Sequence, residues 1–443
     1  MGLTDGIRFF AATDVGRVRD HNEDNYLVDK KLALFVVCDG MGGHAAGEVA
    51  SALAVRILHE EVRKQRQLVD DYERGATGAA AVSTRELLNL LEFAVQRACA
   101  RIHEEAKADS AKRGMGTTLS SILFVGNKGF IAHVGDSRIY LFRDGRVQQI
   151  TEDHTVFNEL VKRGKLTRDQ IEKVAHKNAI TRAVGVYERV EVDTLALEVL
   201  PGDVFMLCSD GLHGYADKQP EALQRIFSEL PPEAQAQAFI DFANQAGGKD
   251  NITNVIVRVE GAEVDKARAR RLSAKRDILA KMALFSRLTE RELLRVMQAA
   301  EIRDYATNAA IMREGERGDE LFVVLTGKVR VVRGDAVLTH LGPGEHVGEM
   351  ALIRSVPRSA SVFADAPSEL VALKRSDFFE ILRREHELAI KFLWQFLGVL
   401  ADRLDQTSRD LRNAKEEASI EDITDEIFPD VEEISLPEPT PRT

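Results

Sequence analysis

The sequence predicts an α+β protein with mostly antiparallel sheets, arranged as successive globular regions and a tail. Short β-like runs such as "SSILFVG", "GFIAHVG" and "RIYLFRDG" follow one another without a regular helix between them, which favours antiparallel pairing over a repeating βαβ pattern. The length of 443 residues exceeds one typical domain. A second region of short, glycine-broken strands lies beyond a basic connector. Two or three domains are therefore expected.

The first region, predicted to span residues 1–260, combines these strands with two long helical patterns. Apolar residues recur at helical spacing over Gly47–Arg66 and again over Thr84–Ala108. A loop rich in Gly, Ala and Thr separates the two patterns. We expect the helices to cover sheets formed by the surrounding strands.

The remainder of the chain divides into four further segments. Residues 261–282 are basic and helix-prone, and a solvated linker helix is the ordinary expectation for such a charge run. Residues 283–395 begin with short strands broken by glycine, typical of a small barrel or jelly roll. Helix is predicted from Ser376 to about Lys415, including a C-terminal helix at 396–415. The acidic, Pro-rich stretch 416–443 is predicted to be disordered.

Composition limits the classes of partner and the compartment. A net charge of −11 argues against a general nucleic-acid binder. Three widely spaced cysteines without a C-x-x-C motif fit a reducing compartment rather than a disulfide framework. The N-terminus lacks a signal-peptide pattern, and no apolar run approaches the roughly 18 residues that span a bilayer. We therefore expect a cytoplasmic protein without a membrane partner.

Five aspartates lie where apolar strands meet loops. Asp39 follows "LFVVC", Asp136 follows "FIAHVG" and Asp210 follows "VFMLCS", while Asp24 and Asp250 lie beside other apolar runs. Any one of them is also explained as a turn residue. Clustered aspartates repel one another and are costly to desolvate unless cations neutralise them. All-oxygen sites suit Mg²⁺ or Mn²⁺ better than Zn²⁺.

Other routes to phosphate chemistry find no support in the motifs. The sequence contains no G-x-x-x-x-G-K-[ST] loop, no cysteine followed by arginine at the spacing of a phosphate-cradling loop, and no G-x-S-x-G elbow. The remaining candidate chemistry is attack of a metal-activated water on a phosphoryl or similar centre.

A set of ordered motifs identifies the first region more closely. The segments "RVRDHNED", "CDGMGGHAAGE", "GMGTTLSSIL", "HVGDSRIYLFRDG", "TEDHT", "NAITRAVG", "LPGDVFMLCSDGL" and "KDNITNVIV" occur in this order. Together they resemble the bacterial form of the metal-dependent type-2C (PPM) Ser/Thr protein phosphatases over about residues 5–260. The resemblance implies an antiparallel β-sandwich flanked by helices, a binuclear metal centre at one end, and hydrolysis of phosphoserine and phosphothreonine.

The resemblance also assigns roles to residues of this chain. Asp39 would bridge two Mn²⁺ or Mg²⁺ ions, Asp136 would hold a third and weaker ion, and Arg19 would bind the phosphate because its guanidinium fork matches phosphate oxygens. The implied metal-binding positions are Glu23, Asp24, Asp39, Gly40, Asp136, Asp210 and Asp250.

The acid that protonates the leaving group is left open by the sequence. Met41 stands where animal and plant members carry a histidine that is proposed as general acid. His44 is the nearby candidate, a structural role at a helix start explains it as well, and a metal-bound water is an alternative. Segment 153–183 matches the mobile flap of bacterial members, which would tune substrate choice; an ordinary surface excursion is the alternative.

The second region resembles a cyclic-nucleotide-binding domain over residues 283–375. "VGEMALIRSVPRSASVFA" matches its phosphate-binding cassette, with predicted ligand positions Gly348, Glu349, Met350, Ala351, Arg358 and Ser359. Turns in the cassette would aim backbone N–H groups at an anion. The resemblance implies that Glu349 accepts from the ribose 2′-OH and Arg358 neutralises the cyclic phosphate. Ser359 favours cAMP, although a hydroxyl there can also favour cGMP; a β-roll that binds nothing is the alternative.

The C-terminal helix carries apolar residues near heptad spacing, at Leu393, Leu397, Leu400, Leu404 and Leu411. They would either pack on the β-roll of the same chain or form a parallel homodimer.

The sequence as a whole predicts a Mn²⁺- or Mg²⁺-dependent protein Ser/Thr phosphatase whose activity is coupled to a cyclic-nucleotide sensor. Its partners would be phosphorylated proteins and a cyclic nucleotide. Two alternatives are a phosphatase whose C-terminal domain docks a protein instead of a nucleotide, and a catalytically silent phosphoprotein-binding scaffold.

Overall fold

A computed structural model of the chain describes residues 6–42, 46–75, 82–162, 170, 174, 179–260 and 266–427. The predicted fold class is confirmed: a helix-flanked antiparallel sandwich is followed by a β-roll with helices. The domain boundaries drawn from the sequence stay predictions.

Two antiparallel sheets form the sandwich. One has the order β1-β11-β10-β7-β8, and the other has the order β2-β3-β5-β6-β9 with β4 paired to β3. The strands are β1 Ile7–Asp14, β2 Asp24–Asp29, β3 Leu34–Met41, β4 Gly116–Thr117, β5 Leu119–Val125, β6 Lys128–Val134, β7 Arg138–Arg143, β8 Arg146–Gln149, β9 Asp193–Glu198, β10 Val204–Cys208 and β11 Ile252–Val259.

Helices cover both outer faces of the sandwich. The sheet containing β3 packs against α1 and α3, and the sheet containing β10 packs against α5, α6 and α7. The helices of this domain are α1 Ala46–Lys64, α2 Arg66–Glu73, α3 Thr84–Ala108, α4 Val156–Lys162, α5 Asp210–Ala216, α6 Pro220–Glu229 and α7 Pro232–Gln245. The helical pattern at Thr84–Ala108 has these bounds because Ser83 caps its start in a capping box with Glu86. The pattern at Gly47–Arg66 is broken at Gln65.

Strand β3 is apolar at successive positions because both of its faces are buried. Leu34 and Val36 pack under the helices, whereas Phe35 and Val37 pack against the opposite sheet. Successive side chains of a strand point to opposite faces, so a strand buried on both sides has a continuous apolar run. Asp39 continues the series of Phe35 and Val37 and therefore lies at the end of the space between the two sheets.

The second domain contains two four-stranded sheets, β12-β19-β14-β17 and β13-β18-β15-β16. Its strands are β12 Ala300–Tyr305, β13 Ala310–Met312, β14 Glu320–Thr326, β15 Val329–Arg333, β16 Ala336–Leu341, β17 His346–Val347, β18 Ser361–Ala364 and β19 Ser368–Lys374. Its helices are α8 Lys266–Lys281, α9 Glu290–Ala299, α10 Met350–Ile353, α11 Arg375–Arg384 and α12 His386–Ile427. An apolar core made by Phe322, Val362 and Leu370 joins the two sheets.

The expectation of a solvated linker helix is wrong for α8. Leu279 is fully buried and Leu272 is nearly so, both in the helical core of the second domain. Lys275 is also buried, and its Nζ donates to the carbonyls of Met297 and Ala300 at 2.7 and 2.5 Å. A basic run packs here because backbone acceptors satisfy the buried charge of Lys275.

The C-terminal region departs from the prediction in two ways. The helix predicted from Ser376 is divided at Glu385 into α11 and α12. α12 continues to Ile427, so residues 416–427 of the tail predicted as disordered are helical. Residues 428–443 lie outside the described residues. Within the described part of the chain, no helix combines the length and apolar character that a membrane span needs.

Candidate active site and nucleotide cassette

The ends of strands from both sheets bring the predicted aspartates together. Asp24 pairs with Asp39 across β2 and β3, and the charge of Asp210 acts on the carboxyl group of Asp39. Asp250 precedes β11, which pairs with β10 just before Asp210. We call Asp24, Asp39, Asp136, Asp210 and Asp250 the acidic cluster.

Burial and mutual repulsion raise the pKa values of Asp24, Asp39, Asp136 and Asp210. The pKa of Asp39 lies well above its ordinary value because the group is buried and faces the other aspartates. Burial raises the pKa of Asp24 to about 7, although hydrogen bonds from Thr253 and Ser209 oppose the shift. Burial, followed by the charge of Asp210, raises the pKa of Asp136 to about 7. Like charges held this closely favour protonation unless a cation compensates them.

Two buried carboxylate oxygens at the site are candidate metal ligands. Among the described residues, Oε1 of Glu23 and Oδ1 of Asp24 are buried without a hydrogen-bond partner. No three His, Cys, Asp or Glu side chains in that part of the chain form a ready-made ion site. The orphaned oxygens and the raised pKa values nevertheless fit a divalent cation, because all-oxygen donors are what Mg²⁺ and Mn²⁺ take.

Glycines let the backbone of the site pack closely. A Cβ on Gly40 would lie 2.2 Å from the Gly47 carbonyl oxygen, and a Cβ on Gly47 would lie 2.7 Å from Oε1 of Glu23. The N–H group of Gly40 donates to the Glu23 carbonyl at 3.2 Å. Both glycines are therefore needed for steric reasons, which explains the glycine-rich sequence after Asp39.

Arg19 lies at the rim of the acidic cluster. Its Nη2 donates to Oδ2 of Asp250 at 2.7 Å, and half of its side chain is exposed. The bond to Asp250 raises the pKa of Arg19 above its ordinary value. The guanidinium is thus held beside the carboxylates and remains open to solvent.

A cleft of about 590 Å³ opens beside the acidic cluster. It is lined by Asp136, Asp210, Asp250, His213, Lys218 and Lys249, among others. The cleft is large enough for a phosphorylated side chain and its neighbours. His44 and residues 163–169, 171–173 and 175–178 of the predicted flap lie outside the described residues.

Several residues that support the site were not singled out from the sequence. Ser209 Oγ donates to Oδ2 of Asp24 at 2.7 Å. Thr118 Oγ1 accepts from the N–H group of Asp39 at 2.9 Å. The Asn251 side-chain oxygen accepts from the N–H group of Glu23 at 2.8 Å. Ser209 and Asn251 directly neighbour predicted ligands in "CSDGL" and "KDN", and that adjacency is the signal that could have found them.

Arg138 in "GDSR" is a further supporting residue. Its guanidinium makes a bidentate pair with Asp153, through Nε to Oδ1 at 2.8 Å and Nη2 to Oδ2 at 2.7 Å, and pairs with Asp217. The Arg138 side chain is largely buried, and a buried arginine needs such partners. These ion pairs hold Arg138 in place two residues after Asp136.

The cassette of the second domain brings Gly348, Glu349 and Arg358 together. The Arg358 guanidinium passes so close to two glycines that a Cβ on Gly348 would lie 2.4 Å from Nη1 and one on Gly318 would lie 2.0 Å from Nε. Its Nη2 donates to the Glu320 carbonyl at 2.7 Å. Burial lowers the pKa of Arg358 below its ordinary value. The guanidinium is thus held rigidly and partly desolvated.

The other predicted cassette positions lie on or beside α10. Glu349 is buried at its N-cap, Met350 and Ala351 begin the helix, and Ser359 is exposed after Arg358. The Ala351 N–H donates to the Gly348 carbonyl at 2.9 Å within the turn. The Arg358 guanidinium therefore lies against Gly348, directly before the helical turn of α10.

Comparisons with known proteins agree with these two sites. The chain matches the family "Protein phosphatase 2C" over residues 17–250 and "Cyclic nucleotide-binding domain" over residues 302–385. The serine/threonine phosphatase stp of Listeria innocua is 37% identical over 250 residues, which are 55% of this chain and 93% of that protein.

Two further similarities are to a phosphatase of Mycobacterium tuberculosis. The serine/threonine protein phosphatase PstP is 38% identical over 256 residues, 57% of this chain and 45% of that protein. A crystal structure of the phosphatase PstP/Ppp aligns with a TM-score of 0.50 at 35% identity, covering 58% of this chain and 99% of the solved one.

Proposed function

Because this chain belongs to the protein phosphatase 2C family, we propose that it hydrolyses phosphoserine and phosphothreonine in proteins with Mn²⁺ or Mg²⁺ held by the acidic cluster. The observation that carries the proposal is the burial of mutually repelling aspartates whose pKa values are raised, beside orphaned oxygens of Glu23 and Asp24. Such an arrangement is costly to fold unless it binds cations.

Each residue has a proposed role. Asp39 would serve both of two ions, Asp210 and Asp250 would hold one of them, and Glu23, Asp24 and the Gly40 carbonyl would serve the other. Asp136 would hold a third. When bound, the ions would supply Lewis-acid charge and an acidified water.

The protein itself positions the substrate. Arg19 lies beside Asp250 with half of its side chain exposed, so its guanidinium can turn toward phosphate oxygens at the mouth of the cleft. Met41 carries no titratable proton, so Met41 cannot protonate the leaving oxygen. We propose that solvent or His44 supplies that proton.

The direct test is hydrolysis of a phosphothreonine peptide by the full chain, with and without Mn²⁺. Turnover that requires the metal and is lost in Asp39→Asn supports the proposal. Turnover unaffected by Asp39→Asn would indicate contaminating activity and would revive the scaffold alternative.

We further propose that the second domain binds a cyclic nucleotide, with cAMP preferred, and that binding changes the phosphatase rate. The support is the rigid, partly buried Arg358 beside Glu349, since a preorganised guanidinium suits a cyclic phosphate. Coupling requires that the nucleotide bind two states of the enzyme unequally. Calorimetry against cAMP and cGMP, followed by rate measurements at saturation, separates three outcomes: coupling, binding without coupling, and a docking module that binds neither.

A homodimer through α12 is proposed on the exposure of its apolar side chains. Ile390, Leu393, Trp394, Leu397 and Leu404 are all more than half exposed, while Leu400 packs partly against the helical core. Such a stripe favours a second copy of the helix. Sedimentation velocity should show a dimer that Leu397→Lys dissociates. A monomer at micromolar concentration would contradict this proposal.

The three free, buried cysteines fit the proposed cytoplasmic location.

A further inference from the structure

A largely buried ion-pair cluster joins the two domains at helix α9. Nη2 of Arg291 lies 2.6 Å from Oδ2 of Asp193, the first residue of strand β9, and Nη1 faces the Glu152 carboxylate. One helical turn later, Arg295 donates to the Thr194 carbonyl. Residues four apart lie on the same face of a helix. One face of α9, from the cyclic-nucleotide domain, therefore contacts the edge of the phosphatase sheet.

Asp193 links this arginine to a buried histidine. Its carboxylate lies 3.5 Å from Nε2 of His154 and 3.0 Å from Nη1 of Arg182. Burial alone would raise the pKa of Asp193, but its bond to His154 and the charge of Arg182 outweigh burial and place the pKa below its ordinary value. Asp193 is therefore an ionised anchor shared by groups from both domains.

His154 holds the residue that precedes a proposed metal ligand. The Gly135 backbone N–H group donates to the ring Nδ1 of His154 at 3.1 Å, and the backbone N–H group of His154 donates to the Gly135 carbonyl at 2.8 Å. Gly135 has φ of +104°, and a Cβ there would lie 2.6 Å from the Thr118 side chain. This clamp fixes the direction in which the chain leaves Gly135 and enters Asp136.

The same short segment also holds the other end of the turn. Asp153 pairs with Arg138, two residues after Asp136. The segment Glu152–His154 thus contacts Arg291 through its first residue and both sides of the Asp136 turn through the next two. Partners of a metal ligand commonly change metal affinity by 10–100-fold, because they set the ligand's orientation.

We propose that Arg291 is a positioning residue for Asp136: an arginine of the cyclic-nucleotide domain, acting through Asp193 and the Glu152–His154 segment, sets the affinity of the phosphatase site for the ion that Asp136 holds. This inference rests on the proposed role of Asp136 as a metal ligand. It also supplies a physical route by which a change in the second domain reaches the metal centre.

The test measures Mn²⁺ binding to the full chain by calorimetry, together with the Mn²⁺ concentration that gives half-maximal hydrolysis of p-nitrophenyl phosphate. Arg291→Ala should weaken the Asp136-dependent Mn²⁺ site about 10-fold, with kcat at saturating Mn²⁺ changed less than about 3-fold. Arg291→Lys should restore most of the affinity, since it returns a cation to Asp193.

Two matched controls separate positioning from a loosened interface. Arg295→Ala removes a contact from the same face of α9 without touching Asp193, and Arg287→Ala removes an exposed arginine nearby. Both should leave Mn²⁺ affinity within about 2-fold of wild type. Equal weakening by Arg295→Ala and Arg291→Ala would overturn the proposal, because general separation of the domains would then explain both.

A double-mutant cycle completes the design. In an Asp136→Ala background, Arg291→Ala should cause no further loss of Mn²⁺ affinity; additive losses would overturn the proposal. If Arg291→Ala does not fold, as judged by circular dichroism, Asp193→Asn tests the same link. If Asp136→Ala itself binds Mn²⁺ as wild type does, the assigned role of Asp136 fails. If Asp136→Ala weakens Mn²⁺ binding but the Arg291 and Asp193 variants bind Mn²⁺ as wild type does, the role of Asp136 stands and only the role of Arg291 fails.

Discussion

The acidic cluster of the phosphatase domain and the cassette of the cyclic-nucleotide domain handle partly buried charge in opposite ways. In the cluster, strand ends hold like charges together, and burial with mutual repulsion raises the pKa of Asp39 well above its ordinary value. In the cassette, one cation, Arg358, already donates to the Glu320 carbonyl and is confined between two glycines. The first site is under electrostatic strain until cations bind, whereas the second is preorganised for an anion.

This difference predicts opposite effects of losing the key charge. A strained cluster should become more stable without ligand when one of its carboxylates is removed. The cassette, whose Arg358 already donates to a protein carbonyl, should lose ligand affinity when Arg358 is replaced, with little change in the stability of the free protein. The substitutions below are ordered from the largest expected effect to the smallest.

Asp39→Asn should give the largest effect. We expect kcat on a phosphothreonine peptide to fall about 10³-fold, because losing the shared ligand costs several kcal/mol of charge stabilisation. The same variant should have a higher melting temperature than wild type in EDTA, since one repelling carboxylate is gone. A loss of activity accompanied by a lower melting temperature in EDTA would argue for misfolding rather than for a strained metal site.

Arg358→Ala should weaken cAMP binding about 10- to 100-fold, because a hydrogen bond from a charged group contributes about 1.5–3 kcal/mol. Calorimetry on the full chain measures this loss. Arg354→Ala is the matched control, because Arg354 is exposed in the same cassette. Equal affinity of the Arg358 variant and wild type would remove Arg358 from the nucleotide site.

Ser209→Ala should weaken Mn²⁺ binding about 10-fold, because Ser209 orients Asp24 through a 2.7 Å hydrogen bond. Ser121→Ala is the control, since its buried hydroxyl donates to the Ala132 carbonyl in the same sandwich away from the cluster. A change of similar size in both variants would point to general loosening of the sandwich.

Lys275→Met should give the smallest effect, on the pH dependence of stability. Burial lowers the pKa of Lys275 to about 8, below the ordinary value of 10.5. The unfolded state therefore binds more protons than the folded state between these values, and the contribution of Lys275 to stability rises with pH. Wild type should gain about 1 kcal/mol relative to Lys275→Met between pH 7 and 9, measured by urea unfolding. A pH-independent difference would contradict the assignment.

The acidic cluster could be predicted from the sequence to a large extent. Apolar runs ending at Asp39 and Asp210 mark strand ends, and carboxylates at strand ends can converge when the strands share a sandwich. Helix α3 was predicted with its observed bounds from the helical spacing of its apolar residues, and the structure shows that Ser83 and Glu86 cap its start. Such features depend on neighbours within a few residues, and the sequence displays them directly.

The sequence by itself therefore determined which chemistry the chain carries: carboxylates at strand ends, and a cassette that contains Gly348, Glu349 and Arg358. Only the tertiary structure decided that Lys275 is buried, and that Arg291 contacts Asp193 across 98 positions of the chain. The physical reason is that charge runs and ion pairs have no local periodicity. Their burial and partners depend on how distant elements pack, so folding alone connects the cyclic-nucleotide domain to the turn that carries Asp136.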